Sequence, residues 1–185
     1  TEVGIETAEV CAKTLTHTAL ELGGNDAFIV LADADIDLAT DELIWGRMYN
    51  TGQVCCASKR FLVHEDVVEE FTKKAVEKIG KLKRGMPADD DTQIGCLISE
   101  KAAIEVERQV NLTVEQGGKV ILGGERDGAF YAPTVIEDVP KTAYVAKDME
   151  IFGPVVPIVT ISSEEEAVEI ANASMFGLCG CVFSA

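Results

Sequence analysis

Hydrophobic and polar residues alternate with two different spacings along this chain. Short runs of apolar and β-branched residues predict six strands, at residues 27–31, 60–64, 119–123, 133–138, 155–161 and 180–184. Apolar residues that recur every three to four positions predict helices between several of these strands, at residues 37–50, 66–81, 99–116 and 164–174. The opening residues 1–15 have the pattern of a further, amphipathic helix.

Two of these helices have recognisable starting signals. Asp66 lies where a side-chain cap is expected for the helix at 66–81. Ser162-Ser163 precedes the last helix, and the acidic first turn from Glu164 to Glu166 suits the positive end of its dipole. Both signals support the helical assignment of these segments.

Continuous apolar strands that alternate with helices are typical of a mostly parallel sheet with both faces covered. The sequence therefore predicts an α/β fold with three layers, α/β/α, in a single domain. Glycine, proline and aspartate at 85–91 predict a surface loop, and glycine pairs at 117–118 and 123–124 bracket the strand near residue 120. No linker, repeat or low-complexity stretch divides the chain.

The chain is strongly acidic. Its 185 residues include 32 Asp and Glu against 16 Lys and Arg, which gives a formal net charge of −16. Such a surface repels phosphate backbones and anionic lipid, which argues against nucleic-acid and membrane partners. No apolar run approaches the roughly 20 residues that a bilayer-spanning helix needs. These observations predict a water-soluble protein.

Cysteine usage bears on the compartment and on metal binding. The six cysteines are irregularly spaced, unlike those of a small disulfide-stabilised secreted domain, so we expect reduced thiols in the cytoplasm. The spacing does not favour zinc, because no CxxC pair occurs and both His17 and His64 are isolated. We therefore expect no metal site.

The segment NTGQVCCASKR, residues 50–60, has the strongest chemical signal. Asn50-Thr51-Gly52 interrupts a helical pattern and a strand follows shortly, so Cys55 is expected on a connection, where catalytic groups are usually exposed. A cysteine is a nucleophile only as its thiolate, which requires partial exposure and nearby donors or positive charge. The alternative is that Cys55 and Cys56 are small buried hydrophobic residues.

A second candidate lies in ALELGGND, residues 19–26. Glu21 stands between apolar neighbours before a glycine pair, which predicts a carboxylate at the end of an apolar strand. Burial of an unpaired carboxylate there would make it basic enough to act as a general base. Gly23 and Gly24 let the backbone turn tightly or approach a ligand closely. A surface glutamate at a strand end would give the same pattern.

The third candidate is MEIFGPV, residues 149–155. Glu150 and Phe152 could present a carboxylate and a ring to a planar ligand, and a carboxylate suits ribose hydroxyls, which donate hydrogen bonds to it. Gly153-Pro154 is also an ordinary turn signal, and Phe152 could belong to the core.

In this order and at these separations, ELGG, GQxC and ExFGP resemble the signature of the aldehyde dehydrogenase superfamily. The resemblance extends from TEVG at residues 1–4 to FGLCGCVFS at 176–184 and so covers nearly the whole chain. It implies the catalytic-domain fold of that family, with NAD or NADP as cofactor. It also favours the catalytic interpretation of each motif.

The resemblance implies a role for each motif residue. Cys55 would attack the aldehyde, and its own backbone N–H together with an asparagine side chain would hold the oxyanion of the thiohemiacetal. Hydride transfer to the nicotinamide would leave a thioester, and Glu21 would activate the water that hydrolyses it. Glu150 would bind the nicotinamide ribose, with Phe152 and Gly23 also at the cofactor.

The resemblance further implies that much of the protein lies outside these residues. We expect residues 1–185 to be a single catalytic domain, with residues 1–15 as the remnant of a cofactor-domain helix. The N-terminal nucleotide-binding domain, which supplies the oxyanion asparagine, and a C-terminal oligomerisation segment are absent from it. The complete protein is then expected to be a homo-oligomer, and the 185 residues alone to be inactive.

Several positions depart from the usual pattern of the family. Asn25 replaces a lysine after ELGG, Ser58-Lys59-Arg60 replaces GSR, and Gly95-Cys96-Leu97 replaces GPL. The combination of ELGGND with GQVCxAxKRF most resembles bacterial-type succinate-semialdehyde dehydrogenases, which implies succinate semialdehyde as substrate.

The pocket for that substrate would include Tyr49, Asn50 and Cys56. Tyr49 occupies a position that is arginine in some such enzymes. Arg47, two residues earlier, is expected on a different face of the helix. The carboxylate of this substrate therefore has no evident basic partner in the segment.

Two alternatives stay open. Cys55 and Cys56 could form a strained, easily reduced vicinal disulfide, or Cys56 could pack passively behind the nucleophile. The chain could also be a stand-alone module that keeps the fold but has a structural or binding role. The presence of Cys55, Glu21, Glu150 and Phe152 together favours an enzyme.

Overall fold

A six-stranded sheet forms the centre of the computed structural model, which describes residues 1–185. Its strands, in chain order, are β1 (Asp26–Val30), β2 (Ser58–His64), β3 (Lys119–Leu122), β6 (Thr134–Glu137), β7 (Val155–Ile161) and β8 (Gly180–Phe183). Their spatial order is β3-β6-β7-β2-β1-β8, and every neighbouring pair is parallel except β3 and β6. The remaining strands, β4 (Arg126–Asp127) and β5 (Phe130–Tyr131), form a separate hairpin.

Helices connect the strands and cover the sheet. They are α1 (Glu2–Ala12), α2 (Ile36–Leu43), α3 (Val68–Gly80), α4 (Glu100–Glu115) and α5 (Glu164–Asn172). A π-helical turn, Ile44–Met48, and a 3-10 turn, Tyr49–Gly52, continue directly from α2, and a further 3-10 turn spans Tyr144–Ala146. No helix combines the length and apolarity that crossing a bilayer requires.

Both faces of the sheet are buried, which confirms the predicted three layers. Side chains alternate along β1, so that Phe28 and Val30 join one apolar cluster while Ala27 and Ile29 join the other. The first cluster includes residues of α2 and α3, and the second includes residues of α4 and α5. This double coverage explains why the strands read as continuous apolar runs.

The predicted elements are confirmed to within a few residues, with two exceptions. The helix predicted at 37–50 is α-helical only to Leu43 and then continues as the π-helical turn, a feature often found at functional sites. The β4–β5 hairpin was not predicted, because strands of two residues are too short to show an alternating pattern.

One predicted helix cap is wrong. The N-cap of α3 is Val67, without a side-chain hydrogen bond, and Asp66 instead lies 3.5 Å from Nδ1 of His64. The Ser163 hydroxyl does cap α5, because it accepts a hydrogen bond from the backbone N–H of Glu166 at 3.2 Å.

The predicted N-terminal helix is present, but it packs little against the sheet. Only Gly4 of α1 is buried, against the side chain of Leu22. The apolar side chains along the opening segment are exposed: Val3, Ile5, Val10, Leu15 and Leu20. The first 22 residues therefore present an apolar surface rather than an apolar face turned into the core.

Candidate active site

The three motifs identified in the sequence meet at one edge of the sheet. ALELGGND leads into β1, NTGQVCCASKR leads into β2 and MEIFGPV leads into β7, so all three lie at the amino ends of their strands. These strands are adjacent and parallel, in the order β7-β2-β1, and the FGLC segment before the next strand, β8, completes the row. Parallel strands that run the same way place their starts together, so this topology accounts for the convergence.

The turn before Cys55 has an unusual backbone. Asn50 and Thr51 have φ angles of 49° and 57°, in the left-handed region that residues with side chains rarely adopt. The Asn50 amide donates to the carbonyl of Gln53 at 3.0 Å, and the Gln53 amide donates back to the carbonyl of Asn50 at 3.2 Å. This reciprocal pair stabilises a strained turn of the kind that clusters at functional sites.

The same turn is attached to the segment before α4. The hydroxyl of Thr51 accepts a hydrogen bond from the N–H of Gly95 at 3.1 Å, and the amide oxygen of Gln53 accepts one from Ile98 at 2.8 Å. These contacts fix the turn from a second direction. Cys55 therefore follows a turn that is held by contacts with the rest of the fold, and not a free loop.

Cys55 lies on the connection between this turn and β2, as predicted. Its side chain is half-buried, and no acceptor lies within hydrogen-bonding distance of its backbone N–H. That N–H is free to donate to a ligand. Cys56 is exposed, so the expectation that it packs behind Cys55 is wrong. All six cysteines are free thiols.

The glycine pair of ELGG allows the motifs to touch. A Cβ on Gly24 would lie 2.7 Å from the carbonyl oxygen of Cys55, and one on Gly23 would lie 2.4 Å from Oε2 of Glu150. The backbone contact at Gly24 excludes a side chain there, and a side chain at Gly23 would displace the Glu150 carboxylate. The N–H of Gly24 also donates to Oε1 of Glu150 at 3.3 Å. Gly23 and Gly24 therefore bring the Cys55 turn and Glu150 together.

Glu21 is not placed as the sequence predicted. It lies in an irregular segment that precedes β1, not at the end of a strand, and its side chain is exposed. The burial that the sequence predicted for this carboxylate is therefore absent.

Glu21 nevertheless acts electrostatically on a thiol of the neighbouring FGLC segment. Partial desolvation raises the pKa of the Cys179 thiol, and neighbouring carboxylates and thiols raise it further: Asp26, Cys56, Cys55 and Glu21. Cys179 belongs to the FGLC segment before β8. One thiol thus lies within electrostatic range of both Cys55 and Glu21.

The loop that contains Phe152 is held by a buried arginine. Arg47 is fully buried, and its guanidinium donates to the carbonyls of Val155 at 2.6 Å and Ile151 at 2.7 Å. Burial lowers the pKa of Arg47 to about 9, an effect that the nearby Glu150 carboxylate opposes. Arg47 was predicted to lie on a different helix face from Tyr49, and its buried position agrees with that prediction, since Tyr49 is exposed.

Between these two carbonyls the loop turns its aromatic residue outward. Phe152 is 43% exposed, so it is not a core residue and can contact a ligand. A Cβ on Gly52, in the Cys55 turn, would lie 2.3 Å from the carbonyl oxygen of Gly153. The FGP loop and the GQ turn therefore pack backbone against backbone.

Lys59 is a site residue that the sequence analysis missed. It is almost fully buried, and its ammonium lies 3.1 Å from Oε1 of Glu150 and 2.6 Å from the carbonyl oxygen of Cys55. The available signal was a lysine directly before the apolar run of β2, Phe61 to Val63. A buried lysine requires acceptors, and such a position indicates them.

Asn25 and Arg60, in two of the other segments that depart from the family pattern, have structural partners. The amide of Asn25 donates to the carbonyls of Lys147 at 2.6 Å and Val145 at 3.3 Å. Burial raises the pKa of the adjacent Asp26, one oxygen of which accepts from the N–H of Cys179. Arg60 donates to the carbonyl of Asn25 at 2.6 Å. These residues join the starts of β1, β2 and β8.

Tyr49 and Asn50, predicted to line the substrate pocket, lie on an open surface. Tyr49 is exposed and its ring centroid lies 6.0 Å from that of Trp45. With Asn50 and Met48 these rings line a groove of about 470 Å³. No basic side chain lines this groove.

A family model described as "Aldehyde dehydrogenase family" matches residues 1–185. The chain is 41% identical over 172 residues to a protein named succinate-semialdehyde dehydrogenase (NADP+) from Mycobacterium leprae, an overlap of 91% of this chain and 37% of that protein. It is 42% identical over 165 residues to lactaldehyde dehydrogenase from Methanococcus aeolicus, covering 89% of this chain and 35% of the relative.

The fold is also similar to that of a crystal structure. Succinate-semialdehyde dehydrogenase from Burkholderia pseudomallei superimposes with a TM-score of 0.96 at 37% identity, over 100% of this chain and 39% of that one. The chain spans less than two fifths of the length of each of these proteins, at 35% to 39%.

Proposed function

Because this chain belongs to the aldehyde dehydrogenase family, we propose that the complete protein oxidises an aldehyde to a carboxylic acid with NAD or NADP. The observation that supports this most directly is the meeting of Cys55, Gly24 and Glu150 at one sheet edge. Names of relatives include both NADP+-dependent succinate-semialdehyde dehydrogenase and lactaldehyde dehydrogenase. We propose that the protein acts in the cytoplasm as a homo-oligomer.

In this proposal Cys55 is the nucleophile. Its thiolate adds to the aldehyde carbon, which forms a C–S bond and places the electron pair of the carbonyl on oxygen. The free N–H of Cys55 is positioned to donate to that oxyanion, and we propose that an asparagine outside these residues supplies the second donor. Donors of this kind are fixed before the reaction, so they stabilise the developing charge without reorganising.

The residues present also fit the nicotinamide half of the cofactor. Oε1 of Glu150 is occupied by Lys59 and Gly24, while Oε2 has no protein donor and can accept from a ribose hydroxyl. The exposed ring of Phe152 and the bare backbone of Gly23 leave room beside that carboxylate. Glu150, Phe152 and Gly23 would hold the nicotinamide half, which when bound would supply the hydride acceptor for the carbon attached to Cys55.

We propose that Glu21 completes the reaction. It removes a proton from the water that attacks the thioester, and the Cys55 thiolate leaves as the acid forms. Its exposed position suits this role, because the attacking water must reach the thioester from solvent. Presence of a carboxylate in ELGG favours hydrolysis over transfer of the acyl group to another thiol.

We propose succinate semialdehyde as the substrate. No cation lines the groove beside Tyr49, so the basic partner of the substrate carboxylate would lie in the part of the protein outside these residues. A hydrogen bond to a charged group contributes about 1.5–3 kcal/mol, which corresponds to roughly 10- to 100-fold in kcat/KM.

Recognition of the substrate carboxylate can be measured with aldehydes of matched length. The complete enzyme is expected to have a kcat/KM for succinate semialdehyde at least about tenfold above that for butanal, which has a methyl group in place of the carboxylate. Steady-state NADH or NADPH formation with both aldehydes and with lactaldehyde measures the ratio. Equal kcat/KM values for succinate semialdehyde and butanal would show that the enzyme does not recognise the carboxylate. A higher kcat/KM for lactaldehyde would identify lactaldehyde as the substrate instead.

Residues 1–185 by themselves are expected to fold but not to oxidise aldehydes. The sheet is covered on both faces, whereas loss of a second oxyanion donor costs about 10²–10³-fold in rate. Contacts from Glu150 and Phe152 alone would not offset the several kcal/mol needed to order the cofactor. The exposed apolar residues between Val3 and Leu22 should also cause self-association.

Calorimetric titration of this polypeptide with NAD+ and NADP+, together with size-exclusion chromatography, tests that expectation. Saturable binding of either cofactor, or turnover of succinate semialdehyde, would contradict it. If the complete protein, too, neither binds cofactor nor oxidises any aldehyde, the fold serves as a structural or binding module.

A further inference from the structure

The buried ammonium of Lys59 links two parts of the site that the proposed mechanism treats separately. Its Nζ lies 2.9 Å from the carbonyl oxygen of Val54, 2.6 Å from that of Cys55 and 3.3 Å from that of Ala57. It also lies 3.1 Å from Oε1 of Glu150. Every group within reach is an acceptor, so the side chain binds as a three-donor ammonium.

The charge of this lysine is balanced inside the protein. Burial lowers the pKa of Lys59, whereas Glu150 opposes that shift through both its charge and its hydrogen bond. Only 1% of the lysine side chain is exposed, against 19% of the glutamate. Removing either group would leave the other as a buried charge without a partner, which is costly. The two groups therefore hold each other in place.

The contacts of Glu150 are divided between its two oxygens. Oε1 receives both the ammonium of Lys59 and the N–H of Gly24, and Oε2 lies beside Gly23 without a protein donor. Lys59 therefore orients the carboxylate with one oxygen turned to the open side. The same ammonium holds the peptide that contains the carbonyl of Cys55.

We propose that Lys59 is a positioning residue that fixes the Cys55 peptide and the cofactor-binding carboxylate of Glu150 relative to each other. This inference rests on the proposed function, since it assumes that Glu150 binds a ribose hydroxyl. Hydride transfer requires the carbon on Cys55 and the cofactor in one geometry, and displacement by about 1 Å can cost on the order of 10²-fold in rate. Lys59 contacts both sides of that geometry.

A double-mutant cycle in the complete enzyme tests the inference. Lys59→Met keeps the length of the side chain and removes its charge, Glu150→Gln removes the charge of the partner, and the double variant combines them. Calorimetry gives the Kd for NAD+ and NADP+, and steady-state kinetics gives kcat and KM. Each single variant is expected to raise the Kd for the preferred cofactor about tenfold, the scale of a hydrogen bond to a charged group. In the double variant the two increases should not multiply.

Lys119→Met is the matched control. Lys119 is also a strand lysine paired with a glutamate, Glu137, at 2.6 Å, but it is exposed and remote from the three motifs. Its variant should have unchanged Kd and kcat. Lys59→Gln is the second variant should Lys59→Met fail to fold, because its amide can still donate to the carbonyl of Cys55 but cannot pair with Glu150 as a charge. It should raise Kd more than it lowers kcat.

The outcomes separate the inference from the proposed function. Lys59 variants with a lowered melting temperature but an unchanged Kd, or increases in Kd that multiply in the double variant, would show that Lys59 is only structural. Cofactor binding by the wild type without oxidation of any aldehyde would reject the proposed function alone. A wild type that binds neither NAD+ nor NADP+ would overturn both.

Discussion

Replacing Cys55 with alanine in the complete enzyme is expected to abolish aldehyde oxidation, with a loss on the order of 10⁴-fold or more, as for other covalent nucleophiles. The side chain is half-buried, on a turn that the surrounding fold holds in place. Without the sulfur no covalent intermediate forms, so neither hydride transfer nor the later hydrolysis has a substrate. Initial rates of NAD(P)H formation test this prediction. Far-UV circular dichroism of the variant shows whether its fold is intact.

Cys56→Ala is the matched control, since it removes a thiol from the next residue. Cys56 is exposed and makes no hydrogen bond, so this variant is expected to keep most of the activity. Retained activity in Cys55→Ala combined with its loss in Cys56→Ala would move the nucleophile by one residue. Parallel measurements with and without a reducing agent report whether the two thiols form a disulfide.

The convergence of the site follows from sequence to a large extent. ELGG, NTGQVCC and MEIFGP each stand directly before an apolar run that was predicted as a strand, and each run is a strand of the sheet. Once the strands are parallel and adjacent, their starts must meet. The strand order β7-β2-β1-β8 itself is a property of tertiary packing and cannot be deduced from local patterns.

The conformation of individual residues was less accessible. The left-handed φ angles of Asn50 and Thr51 were not predicted, because the local Asn50–Gln53 pair is only part of what stabilises this turn. Gly95 also donates to Thr51, and Ile98 donates to Gln53, each from more than forty residues away. The burial of Lys59 depends likewise on Glu150, which is distant in the chain. Long-range partners of this kind override the local preference of a residue.

The predicted position of Glu21 at the end of a strand is wrong. The apolar neighbours of Glu21 and the glycine pair after it predicted a strand end. The segment is instead irregular, and Leu20 and Leu22 are exposed. Because the side chain of Glu21 is exposed, the proposed base acts through its position relative to the thioester. Its proximity to Cys179, which also lies near Cys55, is consistent with such a position.

Glu21→Gln in the complete enzyme is therefore expected to separate the two halves of the reaction. The amide keeps the size of the side chain but cannot accept the proton of the attacking water, and loss of a general base costs about 10²–10⁴-fold in the step that needs it. Addition of Cys55 and hydride transfer do not need this base, so the first turnover should proceed. Stopped-flow absorbance should show a burst of NAD(P)H close to one equivalent per active site, followed by very slow turnover.

The burst distinguishes this role from its alternatives. Glu169→Gln, an exposed glutamate on α5, removes one negative charge elsewhere and should leave both the burst and the steady-state rate unchanged. Loss of the burst together with turnover, while cofactor still binds, would place Glu21 before hydride transfer. Mass spectrometry of the stalled variant supplies an independent measurement, because an acyl group retained on Cys55 is the species that accumulates only when deacylation is the step that Glu21 assists.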